Sequence, residues 1–292
     1  MELAEDQRRL LLELFSPVWE WTRPTISRKD MSTNRETAQD ERRDQLDPDQ
    51  SAIVQVYCMS TEQFDRIKDA QIKPALGRMQ SLRIFPLGQF WDVAEELTYA
   101  ACWLPLVTWL PFALYYAGMR FALTEYVLAL VAWLFVWPVI EYALHRWFFH
   151  APVLWARRLP PYGQGVVNVV RFLSHTVHHA HPTDRKRIAT PLIMSGLIAV
   201  GVLGPVFAFF PERYALGLGV GMILGYVQYD VTHYCLHTYS NQMPGWVPRR
   251  VATWWARLHK AHANHHYGNQ GLTQSFGVAH AWVDPLFGTQ PK

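Results

Sequence analysis

Four long apolar stretches constrain this chain more than any other feature: Leu97 to Met119, Phe121 to about Ala143, Pro191 to Phe210, and Tyr214 to about His233. An α-helix rises about 1.5 Å per residue, so roughly 20 apolar residues cross a hydrocarbon core of about 30 Å. Little more than Arg120 separates the first two stretches, and only Pro211 to Arg213 separates the other two. Connections that short predict two helical hairpins whose tips lie on one face of a bilayer, with the remaining polar sequence on the other. Prolines at 105, 111, 138 and 205 leave open that one or both hairpins are re-entrant. A re-entrant hairpin also returns to the side it came from. The expected fold class is an all-α integral membrane protein: four transmembrane or partly re-entrant helices in two hairpins, plus a cytosolic helical cap.

A mean hydropathy of −0.05 hides this, because a charged first third offsets an apolar remainder. Residues 1–26 predict an amphipathic helix, with Leu3, Leu10, Leu11, Leu14 and Phe15 on one side; acidic residues ahead of its apolar run argue against a secretory signal. Residues 27–51 alternate charges with almost no large apolar side chain and predict a disordered linker. Residues 52–96 form a cytosolic lead-in, and 97–292 the membrane domain. The net charge of +3 is too small and too scattered for nucleic acid. Cys58, Cys102 and Cys235 have no paired spacing, so neither a disulfide framework nor a thiolate metal site is expected.

Between the hairpins, residues 146–190 carry Arg146, Arg157, Arg158, Arg171, Arg185, Lys186 and Arg187 against one acid, Asp184, while the tips offer only Arg120 and Arg213. By the positive-inside rule the long loop and both termini are cytosolic. Twelve of the 13 histidines leave the spans on that same face.

Their spacing suits metal. Side chains three and four apart on a helix share a face, and that spacing occurs in "HTVHH" (His175, His178, His179) and in "HANHH" (His262, His265, His266). His233 and His237 are four apart; His145 and His150 are five apart, across an expected helix end. Ten imidazoles exceed the need of one ion and suit two ions close together, each with four or more nitrogen ligands. Imidazole accepts Zn, Cu, Fe and Ni alike. A structural zinc is satisfied by four ligands and favours cysteine, so two redox-active irons are the economical choice, with zinc a possible occupant as purified. Glu141, Asp184 and Asp230 are the carboxylates expected to stand behind the rings; Glu141 and Asp230, at i, i+4 from His145 and i, i+3 from His233, are placed to accept a second ring N–H or, equally, to solvate a helix end. His181, His259 and His280 fall outside the patterns and are expected at supporting or surface positions.

In "WPVIEYALHRWFFH", "FLSHTVHHAHPTDRKRIATP", "YVQYDVTHYCLH" and "HANHHYGNQGLTQSFGVAHAWVDPLFGT", the chain resembles the fatty acid hydroxylase superfamily of membrane di-iron oxygenases, and most nearly its fatty acid 2-hydroxylases, over roughly Phe90 to Thr289. The resemblance implies metal ligands at His145, His150, His175, His178, His179, His233, His237, His262, His265 and His266. It also implies hydroxylation of C2 of long acyl chains of ceramide-type lipids with O₂, in the endoplasmic reticulum membrane. Many members begin with a fused cytochrome b5 domain, but no histidine precedes His145 to hold a heme. Electrons are therefore expected from a separate cytochrome b5 and its reductase. The acyl channel is sought between the hairpins, near Trp109, Trp133 and Trp137. Two other readings stay open: sterol C4-methyl, sterol C5 or sphingoid-base C4 oxidation on the same fold, and a non-enzymatic membrane metal-binding protein.

Overall fold

The computed structural model describes residues 51–73, 104–268 and 271–291, all within one compact unit. The expected N-terminal helix, nearly all of the linker, and the start of the first span lie outside the described residues. Every regular element among the described residues is helical.

Two short helices, α1 (Ala52–Cys58) and α2 (Thr61–Ile67, continued by a π-helical turn Lys68–Ile72), precede the long apolar helices. Ser60 caps α2, its hydroxyl accepting from the Gln63 amide. Their apolar faces, Val56, Phe64, Ile67 and Ile72, share a core with Val170, Phe172, Leu173 and Val177. The lead-in is thus packed against the helix that carries "HTVHH".

Helix α3 (Leu104–Arg120) is followed after two residues by a continuous helix α4 (Leu123–His150). The latter alternates α and π geometry, with π segments at Ala132–Val136 and Leu144–His150. Pro138 sits in the first turn after the earlier π segment, where its missing N–H is absorbed without breaking the helix. Helix α5 covers residues 161–180, as Pro161–Arg171, a π segment Phe172–Thr176, and Val177–Ala180. The second hairpin is α6 (Leu192–Phe209) and α7 (Glu212–Thr238). Helix α8 (Arg249–Tyr267) follows, and an irregular C-terminal strap, residues 271–291, closes the chain.

Helix α7 is the centre of the assembly. Gly217, Gly221 and Gly225, one per turn, face the backbone at Glu125 and Ala129 and the ring of Trp137 so closely that a Cβ at any of them would collide. Small residues spaced four apart let helix backbones meet where no water drives association. Arg213 Nε donates to Glu125 Oε1 at 2.7 Å, so the two hairpin turns sit beside each other at one end of the bundle.

Two stretches, Leu123–His150 and Arg185–Phe209, are long and apolar enough to cross a membrane. Their outer faces stay uncovered: Leu123, Phe135, Val200 and Phe209 are 60% or more exposed. A belt of that size is too large for a surface in water.

Candidate metal centre

The histidines gather at the end of the bundle opposite the Arg213–Glu125 pair. Helices α4, α5, α7 and α8 each supply some, and the ten singled out by spacing converge into two groups of five. The first is His145, His150, His175, His179 and His265; the second is His178, His233, His237, His262 and His266. Within each group one nitrogen from every ring lies within 4.8 Å of the others.

Local geometry explains the membership. The π turn at Leu144–His150 closes hydrogen bonds five residues apart, with Ala151 N donating to Arg146 O at 2.8 Å. That brings His145 and His150 to one side of α4, their ring centroids 5.1 Å apart. Each HxxHH motif divides between the groups. His175 and His179 serve the first and His178 the second, whereas His262 and His266 serve the second and His265 the first. His179 stacks on His266 at 4.2 Å, joining the two groups.

The nitrogens fit cations. His145 Nδ1 donates to Phe276 O at 2.7 Å and His265 Nδ1 donates to Gln274 O at 2.9 Å, which leaves both Nε2 atoms with bare lone pairs. His265 Nε2 faces His150 Nε2 at 3.1 Å and His179 Nε2 at 3.2 Å; His175 and His150 meet through Nε2 at 2.7 Å. In the second group His262 and His237 meet at 2.7 Å, and His178 and His266 at 3.1 Å. Two nitrogens bound about 2.1 Å from one ion at right angles stand about 3 Å apart. Burial first, and neighbouring imidazoles second, hold His175, His178, His179, His262 and His266 well below the ordinary histidine range. They are neutral at physiological pH, the form that binds metal.

The carboxylates behave differently from expectation. Glu141 does not meet His145: its Oε1 accepts from Ala279 N and its Oε2 pairs with His280 Nδ1, both at 2.8 Å, tying α4 to the C-terminal strap. Asp184 caps the turn that follows α5, accepting from Lys186 N and from the Arg187 guanidinium. Asp230 is buried, and its hydrogen-bonding neighbours are the Tyr226 hydroxyl and the Thr190 backbone. A helix position one turn away places a carboxylate near a ring without aiming it there.

The residues that do support the rings were not singled out by spacing. Arg171, 1% exposed, donates through Nε to Phe148 O and through Nη2 to Ala151 O, and its Nη1 pairs with Asp65 at 2.6 Å. Lys68 Nζ donates to Phe149 O at 3.0 Å and His150 O at 2.7 Å. Burial pulls Lys68 down to about 8. Together they satisfy the carbonyls left open where α4 ends, the end that carries His150. Asp284, within the quoted "DPLFGT", accepts from Phe276 N at 2.8 Å and Gly277 N at 2.9 Å. No spacing rule points to these residues, because each acts on a distant backbone.

The fatty acid hydroxylase family model matches residues 130–289, more than half of the chain and all ten histidines. A dihydroceramide fatty acyl 2-hydroxylase of Arabidopsis thaliana is 33% identical over 206 residues, covering 68% of this chain and 78% of that protein. A ceramide very long chain fatty acid hydroxylase of Saccharomyces cerevisiae is 32% identical over 203 residues, 68% of this chain but 48% of the yeast protein. A solved structure of full-length Scs7p, in which only the hydroxylase domain is visible, matches with a TM-score of 0.61 at 25% identity, covering 90% of this chain and 94% of that one. With a matching model, relatives of this identity and two clusters of inward-facing imidazoles, the chain belongs to the fatty acid hydroxylase family.

Proposed function

We propose that this protein is a membrane oxygenase that places a hydroxyl on C2 of the long acyl chain of fatty acyl or ceramide lipids. The carrying observation is the pair of five-histidine clusters at one end of membrane-capable helices. The relatives named as fatty acyl 2-hydroxylases support the substrate class. Two iron ions held by the ten histidines would supply, with O₂ and electrons from a separate cytochrome b5-type carrier, the oxidant that an unactivated C–H bond requires.

The chain's own part is to hold and orient. Trp109, Trp137, Ser195, Val202, Met222 and Tyr226 line an apolar cleft between the hairpins. This cleft takes the acyl tail. Trp133 does not line it, because its Nε1 is engaged by Gln228 at 2.5 Å. From the cleft, Tyr226, Tyr229 and His233 follow one face of α7, with centroid spacings of 6.5 and 5.6 Å, and lead to the second cluster. The Tyr226 hydroxyl and the Asp230 carboxylate, buried beside each other on that path, receive the polar head beside C2. Four spans, a cytosolic site and cytosolic termini in the endoplasmic reticulum membrane agree with the arginine-rich segment between the hairpins.

The experiment is product mass spectrometry with metal analysis on wild type and His265→Ala. Wild type is expected to accumulate 2-hydroxyacyl lipids. The variant is expected to yield none, with metal content reduced. Conversion of a sterol precursor instead, or bound metal without substrate-dependent O₂ uptake, overturns the reading.

A further inference from the structure

Ser275 is the one residue other than glycine, among those described, with a left-handed backbone, at φ 60°. Such a conformation costs roughly 1 kcal/mol or more for an L-residue and persists where its surroundings enforce it. Its neighbours on either side, Gln274 and Phe276, are the two residues whose carbonyls accept the Nδ1–H of His265 and His145. Both rings belong to the first cluster. An extended backbone would point successive carbonyls to opposite sides; the left-handed turn between them lets both reach one site.

The turn is held from behind. Asp284 accepts from the amides of Phe276 and Gly277 and from the Thr289 hydroxyl at 2.7 Å, while Ser275 N donates to Thr289 O at 2.8 Å. Tyr142, on the π-bearing helix α4, shares a 2.9 Å hydrogen bond with Thr289. Gly277 leaves no room for a side chain, since a Cβ would lie 2.6 Å from His280 O and 2.9 Å from Asp284 Oδ2. The second cluster has no matching brace on α8: His262 and His266 have buried Nδ1 atoms without an acceptor among the described residues.

We propose that the Gln274–Phe276 turn, locked by Asp284, is a positioning device for one of the two metal positions. It fixes the tautomer and orientation of His145 and His265, so the first cluster retains its ion more tightly than the second. The proposal rests on the reading of the histidines as a two-metal site. Partners that orient ligand imidazoles are worth about 10- to 100-fold in metal affinity.

The test uses the full chain purified in detergent, loaded with Zn²⁺ alone, with metal counted by mass spectrometry and its release followed in excess chelator. Wild type is expected to release two ions in two phases. His237→Ala, which removes a ligand of the second cluster alone, is expected to hold one ion and release it slowly. Asp284→Asn keeps the size of the side chain but turns an amide N–H toward backbone N–H groups; it is expected to speed the slow phase about 10- to 100-fold and leave the fast phase unchanged. Should Asp284→Asn not fold, Ser275 carries the test: glycine adopts this backbone freely and should keep the slow phase, whereas Ser275→Val should lose it. Fewer than two ions in wild type overturns the two-metal reading and the device together. Two ions leaving in one phase, a fast remaining ion in His237→Ala, both phases speeding alike in Asp284→Asn, or Ser275→Gly behaving as Ser275→Val overturns the device alone.

Discussion

At the scale of single residues, the ten histidines show how burial prepares a ligand. An imidazole in water takes up a proton at about pH 6.5. Burial holds His175, His178, His179, His262 and His266 below that value in the folded chain. The sign follows: below about pH 6.5 the unfolded chain binds more protons than the fold, so stability falls as pH falls, and above it these groups contribute no pH dependence. In the metal-free protein these histidines are therefore expected to add no slope to the unfolding midpoint between about pH 8 and 7 and to produce a steep decline below about pH 6.5, read by thermal unfolding after chelation. A midpoint insensitive to acid would mean that these rings are solvated. Which histidines gather was legible, because spacing along a helix is a local property. What stands behind them was not. Glu141 and Asp230 sit at helical spacing from ring-bearing residues, yet the actual acceptors for His145 and His265 are backbone carbonyls some 131 and nine residues further along. A carbonyl has no residue type, so no sequence pattern announces it.

At the scale of elements, the end of α4 is the critical joint. Its π turn brings His145 and His150 together, and the carbonyls it leaves open are taken by Arg171 on α5 and Lys68 after α2. Arg171 also pairs with Asp65, which is 4% exposed, so its removal leaves a buried carboxylate with only the Val153 amide and a longer, 3.7 Å contact to Arg157. Breaking a buried pair by deleting one partner typically costs about 3 to 5 kcal/mol. Arg171→Met is expected to lower the thermal midpoint and the metal content together. Asp65→Asn added to Arg171→Met should recover part of the midpoint but not the metal, because the α4 carbonyls remain uncapped. Equal recovery of both would assign Arg171 a purely stabilising role. The two stretches long and apolar enough to cross a membrane were readable from hydropathy, and helix α7 extends past the expected end near His233 to Thr238, as the His233 and His237 spacing requires. The π segments were not readable, since a π turn is held by tertiary capping and by the relief it gives Pro138, not by residue preference.

At the scale of the whole molecule, the two hairpin turns meet through Arg213 and Glu125 at one end, while the histidines collect at the other. In a bilayer this puts chemistry on one side and both turns on the opposite side. With native cysteines replaced, a cysteine at Glu212 is expected to react with an impermeant maleimide only from the lumenal side of sealed microsomes, and one at Tyr239 only from the cytosolic side. Labelling of both from the same side would refute the four-span topology. The sequence by itself determined that the chain is helical and apolar enough for lipid, and which imidazoles can share a helix face. These are properties of neighbours within two turns, where hydropathy and the helical repeat act alone. Tertiary structure decided how the ten rings divide. On a helix, i and i+4 differ by about 40° and i+3 lies about 60° the other way, so each HxxHH motif can serve two ions, and only the crossing of α5 and α8 determines which ring faces which. It also decided the backing of the site, because Asp65, Lys68 and Arg171 reach the end of α4, and the turn at Ser275 reaches His145, only when the chain has closed on itself.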